Sequence, residues 1–438
     1  MKHLSLLLLL LVALPACSRG HGSVSAQHRD PASLIRKTSH GDARLLCTAS
    51  IPGTSPIDRA IGAETRVVAR DPSSVEGWIR LGNAWVQKAR SSADPGFYLN
   101  AGACADVALE LSPDNALADN LRGFTYLNDH RFREARDLAT GILARDSDDP
   151  TAWGTLADAE LELGNIDGAE RAVQRMLDLK PSLASYSRAA YLRWLRGDLS
   201  GAKLLGGHAI RAGREARDRE PLAWILVQTA LVFWGEGDYD GALAGFDLAL
   251  SEVPGYAPAL VGKAKVALGR GRYGEAASLL EPALERAPLS ETAWLLGDAR
   301  RLSGDEPGAQ KAYERVVSEG RAHDRRTLSL FLSSRRQDLS QAVALAEAEL
   351  RDRPSVYSKD ALSWALYRSG RFVEARELSE EAVRLGIPDA RLLFHAGAIR
   401  IATGDASGRK LVQQALARNP MFDSLEAEEA RRLVQHGV

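Results

Sequence analysis

Residues 237–254 read GDYDGALAGFDLALSEVP, and the order of small, large and helix-breaking side chains in this stretch decides the fold. Gly237 opens it. Ala242, Phe246, Ala249 and Leu250 follow at helical spacing, and Pro254 closes it. A glycine ends a preceding helix in a left-handed turn without a Cβ penalty. Alanine lets two antiparallel helices approach where they cross. Proline cannot continue a helix, so it stops the second one.

Outward from this stretch the same phases recur. Ala135, Ala169, Ala202, Ala242, Ala276, Ala309, Ala342 and Ala375 stand 34, 33, 40, 34, 33, 33 and 33 residues apart. Gly164, Gly197, Gly237, Gly271, Gly304, Gln337, Gly370 and Gly404 form a second ladder. Leu143, Leu177, Ile210, Leu250, Leu284, Val317, Leu350 and Val383 form a third. Prolines close units at 113, 181, 254, 288, 354 and 420. One helix pair of this size cannot bury its apolar face alone, and stacked neighbours can. The spacing predicts ten antiparallel helix pairs, over 75–113, 114–150, 151–181, 182–213, 221–254, 255–288, 289–320, 321–354, 355–387 and 388–420. A lone helix near 56–71 precedes them, and an amphipathic helix over Ser424–Gln435 reads as a solvating cap.

These residues resemble the tetratricopeptide repeat family, whose pattern is Trp-x-x-Leu-Gly-x-x-Tyr, then Ala-x-x-x-Phe-x-x-Ala, then Pro. Trp78, Leu81, Gly82 and Trp85 carry the opening. Trp153, Leu156 and Ala157 repeat it, with Ala169, Val173, Met176 and Pro181 completing that unit. The resemblance covers about residues 56–436. It implies an all-α, right-handed α-solenoid divided into an array over 56–220, a second over 221–423 and a cap over 424–438. Two irregularities interrupt the period. Seven extra residues lie around Ser91–Gly96, and an insertion near Arg211–Pro221 reads as a longer second helix with a solvated loop.

The start of the chain reads as an address. Met1-Lys2-His3 is positive, and Leu4–Leu14 is apolar but too short to span a bilayer as a helix. Leu14-Pro15-Ala16-Cys17 resembles the bacterial lipoprotein box, with Pro15 a departure from the usual small residue. That resemblance implies removal of residues 1–16 and a lipid on Cys17, and Ser18 resembles sorting to the outer membrane. Ordinary secretion, with cleavage after Ser23-Val24-Ser25-Ala26, is the alternative. Residues 17–55 then read as the lipidated cysteine and a flexible tether.

Composition narrows the function. Lys and Arg total 56 against 57 Asp and Glu, a formal charge of −1 that excludes a basic nucleic-acid face over the whole chain. Three cysteines exclude a disulfide framework and a four-cysteine zinc site. Cys47 and Cys104 read as two separate thiols, although an oxidising compartment would permit a disulfide. The GRGRYG of residues 269–274 lies between two predicted helices, where a nucleotide fingerprint needs a preceding strand. Asp146-Ser147-Asp148-Asp149 reads as a turn and helix N-cap rather than a calcium loop. No cofactor, metal site or catalytic constellation emerges.

The concave face of such a solenoid is lined by the first helix of each pair. Projection gives a partner-binding groove of Asn83, Gln87, Asp158, Glu162, Tyr191, Trp194, Gln228, Trp234, Lys265, Asp298, Arg301, Phe331, Arg335, Trp364, Tyr367, Arg368 and His395. Trp153 and Trp294 fall nearer the packing positions and read as core. The carboxylate clamp of chaperone-binding repeats is absent. Asn83 matches one of its positions, but Ile79, Gly154 and Thr155 stand where basic residues are needed. The expectation is a lipid-anchored adaptor of a bacterial envelope that holds a protein or peptide partner in this groove. A periplasmic glycan- or lipid-binding protein or an unrecognised enzyme is the alternative, and a deep pocket of Asn, Asp and Trp would favour it.

Overall fold

The computed structural model describes residues 40–51, 53–215 and 218–436. The expected leader, Cys17 and the tether as far as residue 39 lie outside the described residues. Twenty-three α-helices and no strand occur among the described residues. All ten expected helix pairs are present, from Val75–Ser92 with Phe97–Leu111 to Ala390–Ala402 with Gly408–Arg418. The lone helix runs Pro56–Arg70, and a terminal helix runs Glu426–His436. The chain forms an α-solenoid.

Local chemistry explains the elements. Asp198, Asp238 and Asp305 each accept a hydrogen bond from a backbone N–H in the first turn of the helix that follows. The alanine ladder is fully buried at Ala242, Ala276, Ala309, Ala342 and Ala375. In the eighth pair Gln337 replaces the ladder glycine, and Arg336 and Asp338 take the positive φ instead, at 56° and 36°. The residues added near 211–221 lengthen both flanking helices, Leu199–Arg214 and Glu220–Gly235, to 16 residues each.

The described chain divides into two compact units, one ending at Ala159 and the other beginning at Glu160. In the N-terminal unit the sequence reading needs two corrections. The tether does not extend to residue 55, because His40–Cys47 is helical. Cys47 and Cys104 are not separate thiols but a disulfide, with Cα atoms 5.0 Å apart. The short helix carries too few turns to show a period, yet it is held firmly. Trp85 Nε1 donates to the Cys47 carbonyl oxygen (2.8 Å), Asn100 Nδ2 to that of Leu46 (2.6 Å), and the Arg44 guanidinium lies over Trp78. Asp149 Oδ1 accepts from the N–H groups of Thr151 and Ala152, the N-cap expected of that turn.

The C-terminal unit coils back on itself. The turn after Glu162 meets residues 353–354, the turn at 194–197 meets Tyr357 and Gly386, and the turn at 234–239 meets residues 418–420. Two ladder glycines sit at the closest approaches. Gly164 and Gly197 have φ of 78° and 77°. An added Cβ would come within 2.6 Å of the Pro354 carbonyl oxygen and 2.5 Å of that of Gly386. Any side chain there would be strained and would also push the coil open.

Candidate functional site

Closure of the C-terminal unit encloses a chamber of about 360 Å³. Its wall is built from the first helices of successive pairs, from Leu183–Leu195 to Ala390–Ala402, and from the segment Asn419–Ser424. Tyr191, Trp194, Gln228, Trp234, Lys265 and Asp298, all projected to the groove, line it. Arg326, Tyr357, Glu291, Arg391, Asp360 and Trp294 join them, none of them in the projected set. A signal for four of these was present. Glu291, Arg326, Tyr357 and Arg391 each occupy the second position of a first helix, one phase that the projection left out.

The polar wall is closely partnered. Lys265 Nζ donates to Glu291 (2.8 Å) and lies over the Trp234 ring. The Lys265 charge holds the Glu291 carboxyl below its ordinary range. Trp194 Nε1 donates to the Tyr357 hydroxyl (3.2 Å). Burial, with Glu162 nearby, pushes the Tyr191 hydroxyl up to about 12. Asp298 accepts from the Tyr313 hydroxyl (2.8 Å), the Ser424 hydroxyl (2.7 Å) and the Arg335 guanidinium.

The chain's own C-terminal segment lies against residues of these first helices. Asn419 Nδ2 donates to the Trp234 carbonyl oxygen (2.9 Å). Arg391 donates to Asp423 (2.8 Å) and pairs with Glu426 (3.4 Å). His395, fully buried, lies between Asp360 (2.9 Å) and Glu426 (3.3 Å). Burial disfavours the His395 charge, but these two carboxylates outweigh it and raise its pKa to about 9. Arg368 holds Glu429 through both terminal guanidinium nitrogens, one bond at 2.9 Å.

Several sequence assignments change. The terminal helix is not merely a solvated cap, since Glu426, Ala427 and Ala430 are buried. Phe331 and Trp364 are core rather than groove, because successive first helices pack over that side of the ring. Phe331 sits against Trp294 and Tyr313, and Trp364 stacks on His395 at 3.9 Å. Asp158, Glu162, Asp298, Arg368 and His395 are buried too, the last three beside the C-terminal segment or the residues that hold it. Glu162 is taken by Arg353. Arg301, Arg335 and Tyr367 are half-buried, while Asn83 and Gln87 are exposed on the N-terminal unit. Trp294 is core as expected, whereas Trp153 is only half-buried. The glycine-rich 269–274 follows a helix, not a strand. Among the described residues no group of three His, Cys, Asp or Glu is placed to hold a metal ion, and no helix is long and apolar enough to cross a membrane.

Stacked helix–turn–helix units with a ligand-sized hollow on the concave side define a repeat scaffold. The tetratricopeptide repeat family model matches residues 126–192 and 233–297, and those two stretches are tetratricopeptide repeats. Among curated proteins, a CTR9 homolog from Arabidopsis thaliana is 34% identical over 100 residues, which are 22% of this chain and 9% of that protein. Among solved structures, PilW, described as a widely conserved type IV pilus biogenesis factor, aligns with a TM-score of 0.42 at 15% identity. That alignment covers 50% of this chain and 98% of PilW. MamA aligns with a TM-score of 0.31 at 19% identity, over 37% of this chain and 93% of MamA. Repeats of this family mediate protein–protein contacts, and that is the coarse role of this chain.

Proposed function

We propose that this protein is a non-enzymatic adaptor, anchored by a lipid on Cys17 to the extracytoplasmic side of a bacterial envelope. Its concave face holds a peptide segment of an envelope partner. One observation carries the reading: this face already binds a peptide segment, the chain's own residues 419–429, through side-chain-specific bonds from Asp298, Arg391, His395 and Arg368. The wall is built before any partner arrives, so the ordering cost falls on the incoming segment. The Cys47–Cys104 disulfide supports an oxidising compartment, and Leu14-Pro15-Ala16-Cys17 supports lipidation. The outer membrane is the leaflet favoured by Ser18.

A photo-crosslinker tests this in cells. It would replace Gln228 on the concave side or Leu248, exposed on the convex side. The expected result is one envelope protein, joined through a contiguous segment, from Gln228 and not from Leu248. Glu429→Ala, which loosens the chain's own segment, should raise the yield. Cys17→Ser should release the protein from membranes and abolish the adduct. Equal adducts from both faces, or none from Gln228, would discard the adaptor reading.

A further inference from the structure

The chamber wall contains buried unpaired polar atoms, while each of its carboxylates already accepts at least one hydrogen bond. Glu291 is taken by Lys265, Asp298 by Arg335, Tyr313 and Ser424, Asp360 by His395, and Asp423 by Arg391. Asp389 accepts from the backbone N–H groups of Arg391 and Leu392. In contrast, Trp234 Nε1 and Thr229 Oγ1 are buried in the lining without a hydrogen-bond partner. Arg326 also lines the chamber. Among the described residues it forms no ion pair; its guanidinium lies over the Tyr357 ring at 5.7 Å, and its charge reaches Glu291 from beyond contact distance.

A buried donor left unpaired is costly. The complement of such a wall is a molecule that supplies acceptor oxygens with negative charge. The remainder of the lining is aromatic and aliphatic, with Trp194, Trp234 and Tyr357 beside Leu268 and Leu295. A volume of about 360 Å³ falls at the small end of ligand sites, which run from about 300 to 1,000 Å³. Burial also raises the pKa of Asp389 and Asp423.

We propose that the chamber is a binding site for a small carboxylate with a flat aromatic or apolar body, its carboxylate received by Arg326 and its acceptor atoms by Trp234 Nε1. This site stands beside the adaptor reading rather than on it. Residues 419–424 form part of the wall, so a bound carboxylate would strengthen their docking.

Calorimetric titration of the full chain tests the site with three probes: indole-3-acetate, phenylacetate and the neutral indole-3-acetamide. At least one carboxylate should bind below millimolar concentration, and the amide about tenfold or more weakly than indole-3-acetate, since a hydrogen-bonded charge contributes about 1.5–3 kcal/mol. Arg326→Gln should abolish the preference for the carboxylate while leaving the melting temperature nearly unchanged, because no ion pair is broken. Trp234→Phe keeps the ring and removes the donor, and should weaken binding several-fold. Equal binding of acid and amide, no heat from any probe up to several millimolar, or unaltered affinity in Arg326→Gln overturns the proposal. Each of these results leaves the crosslinking test of the adaptor reading unaffected.

Discussion

Arg353 and Glu162 stand 191 residues apart in sequence and meet as a buried, two-bonded ion pair, with one bond at 2.8 Å and both side chains almost wholly shielded from water. Burial alone would disfavour the Arg353 charge. Glu162 reverses that effect and holds the guanidinium above its ordinary pKa. The pair joins the end of the first helix of the third pair to the turn after the eighth pair. It therefore fastens the coil that encloses the chamber.

Removing one partner leaves the other charge buried and alone. Arg353→Ala should cost about 3–5 kcal/mol, and Glu162→Ala a similar amount. The double variant Glu162→Leu with Arg353→Met replaces the pair by apolar bulk and should recover most of that loss. Urea unfolding of all four chains checks this. A loss under about 1 kcal/mol in Arg353→Ala would mean that solvent reaches the pair and that it is no fastener.

The Cys47–Cys104 bridge closes a loop with a sequence separation of 57. Chain-entropy reasoning gives such a loop about 4 kcal/mol, with strain able to reduce it. Reduction should lower the melting temperature of the 40–159 unit, and Cys47→Ala with Cys104→Ala should reproduce the shift. Alkylation of the denatured, unreduced protein should leave both residues unlabelled. Labelling at either one would contradict the bridge.

The repeat was legible because its causes are local. The alanine at the crossing, the glycine at the turn and the proline at the end each act within one pair, so they recur in phase. Coil closure has no such period. Arg353 stands in an Asp-Arg-Pro turn like any surface arginine, and only contact with Glu162 distinguishes it. Trp364 and His395 were correctly placed on first helices, but the chain's own terminal segment and the adjacent first helices cover them. That cover depends on contacts between residues 31 to 126 apart, as with His395–Glu426 and Asp298–Ser424, which amphipathic spacing cannot express. The Glu291, Arg326, Tyr357 and Arg391 phase was readable in principle. It went unused because the projected face began one to two turns later in those four helices.

Two tryptophans on first helices should respond differently to truncation. Trp364 is fully buried, stacks on His395, donates to Ser334 and lies under the Arg368 guanidinium at 4.1 Å. Trp364→Ala should cost about 3–5 kcal/mol, as large aromatic deletions from a core do. Trp194 is half-buried at the chamber, with solvent or ligand space beside it. Trp194→Ala should cost less than half as much and chiefly change what the chamber binds. Paired urea titrations decide the matter, and equal losses would erase the distinction between core and wall.

Docking of the terminal helix should depend on pH through His395. Its folded pKa is raised to about 9, against an ordinary value of 6.5, because Asp360 and Glu426 outweigh burial. The imidazolium therefore stabilises the folded state fully below pH 6.5, and that contribution is lost as pH rises through about 9. Glu426 moves the other way. The adjacent His395 and Arg391 charges lower its pKa despite burial, so its contribution is present above pH 4.5 and fades in strong acid. Arg368 also holds Glu429 one turn further on, so the change should centre on the segment around Glu426. Hydrogen exchange of Glu426–His436, corrected for the intrinsic rate, should show greatest protection between about pH 4.5 and 6.5 and a clear loss by pH 10. In Glu426→Gln the alkaline loss should shrink, because the raised His395 pKa depends partly on that carboxylate. Protection that is flat from pH 6 to 10 would mean that His395 is neutral in the fold and that its two carboxylates are held by other donors.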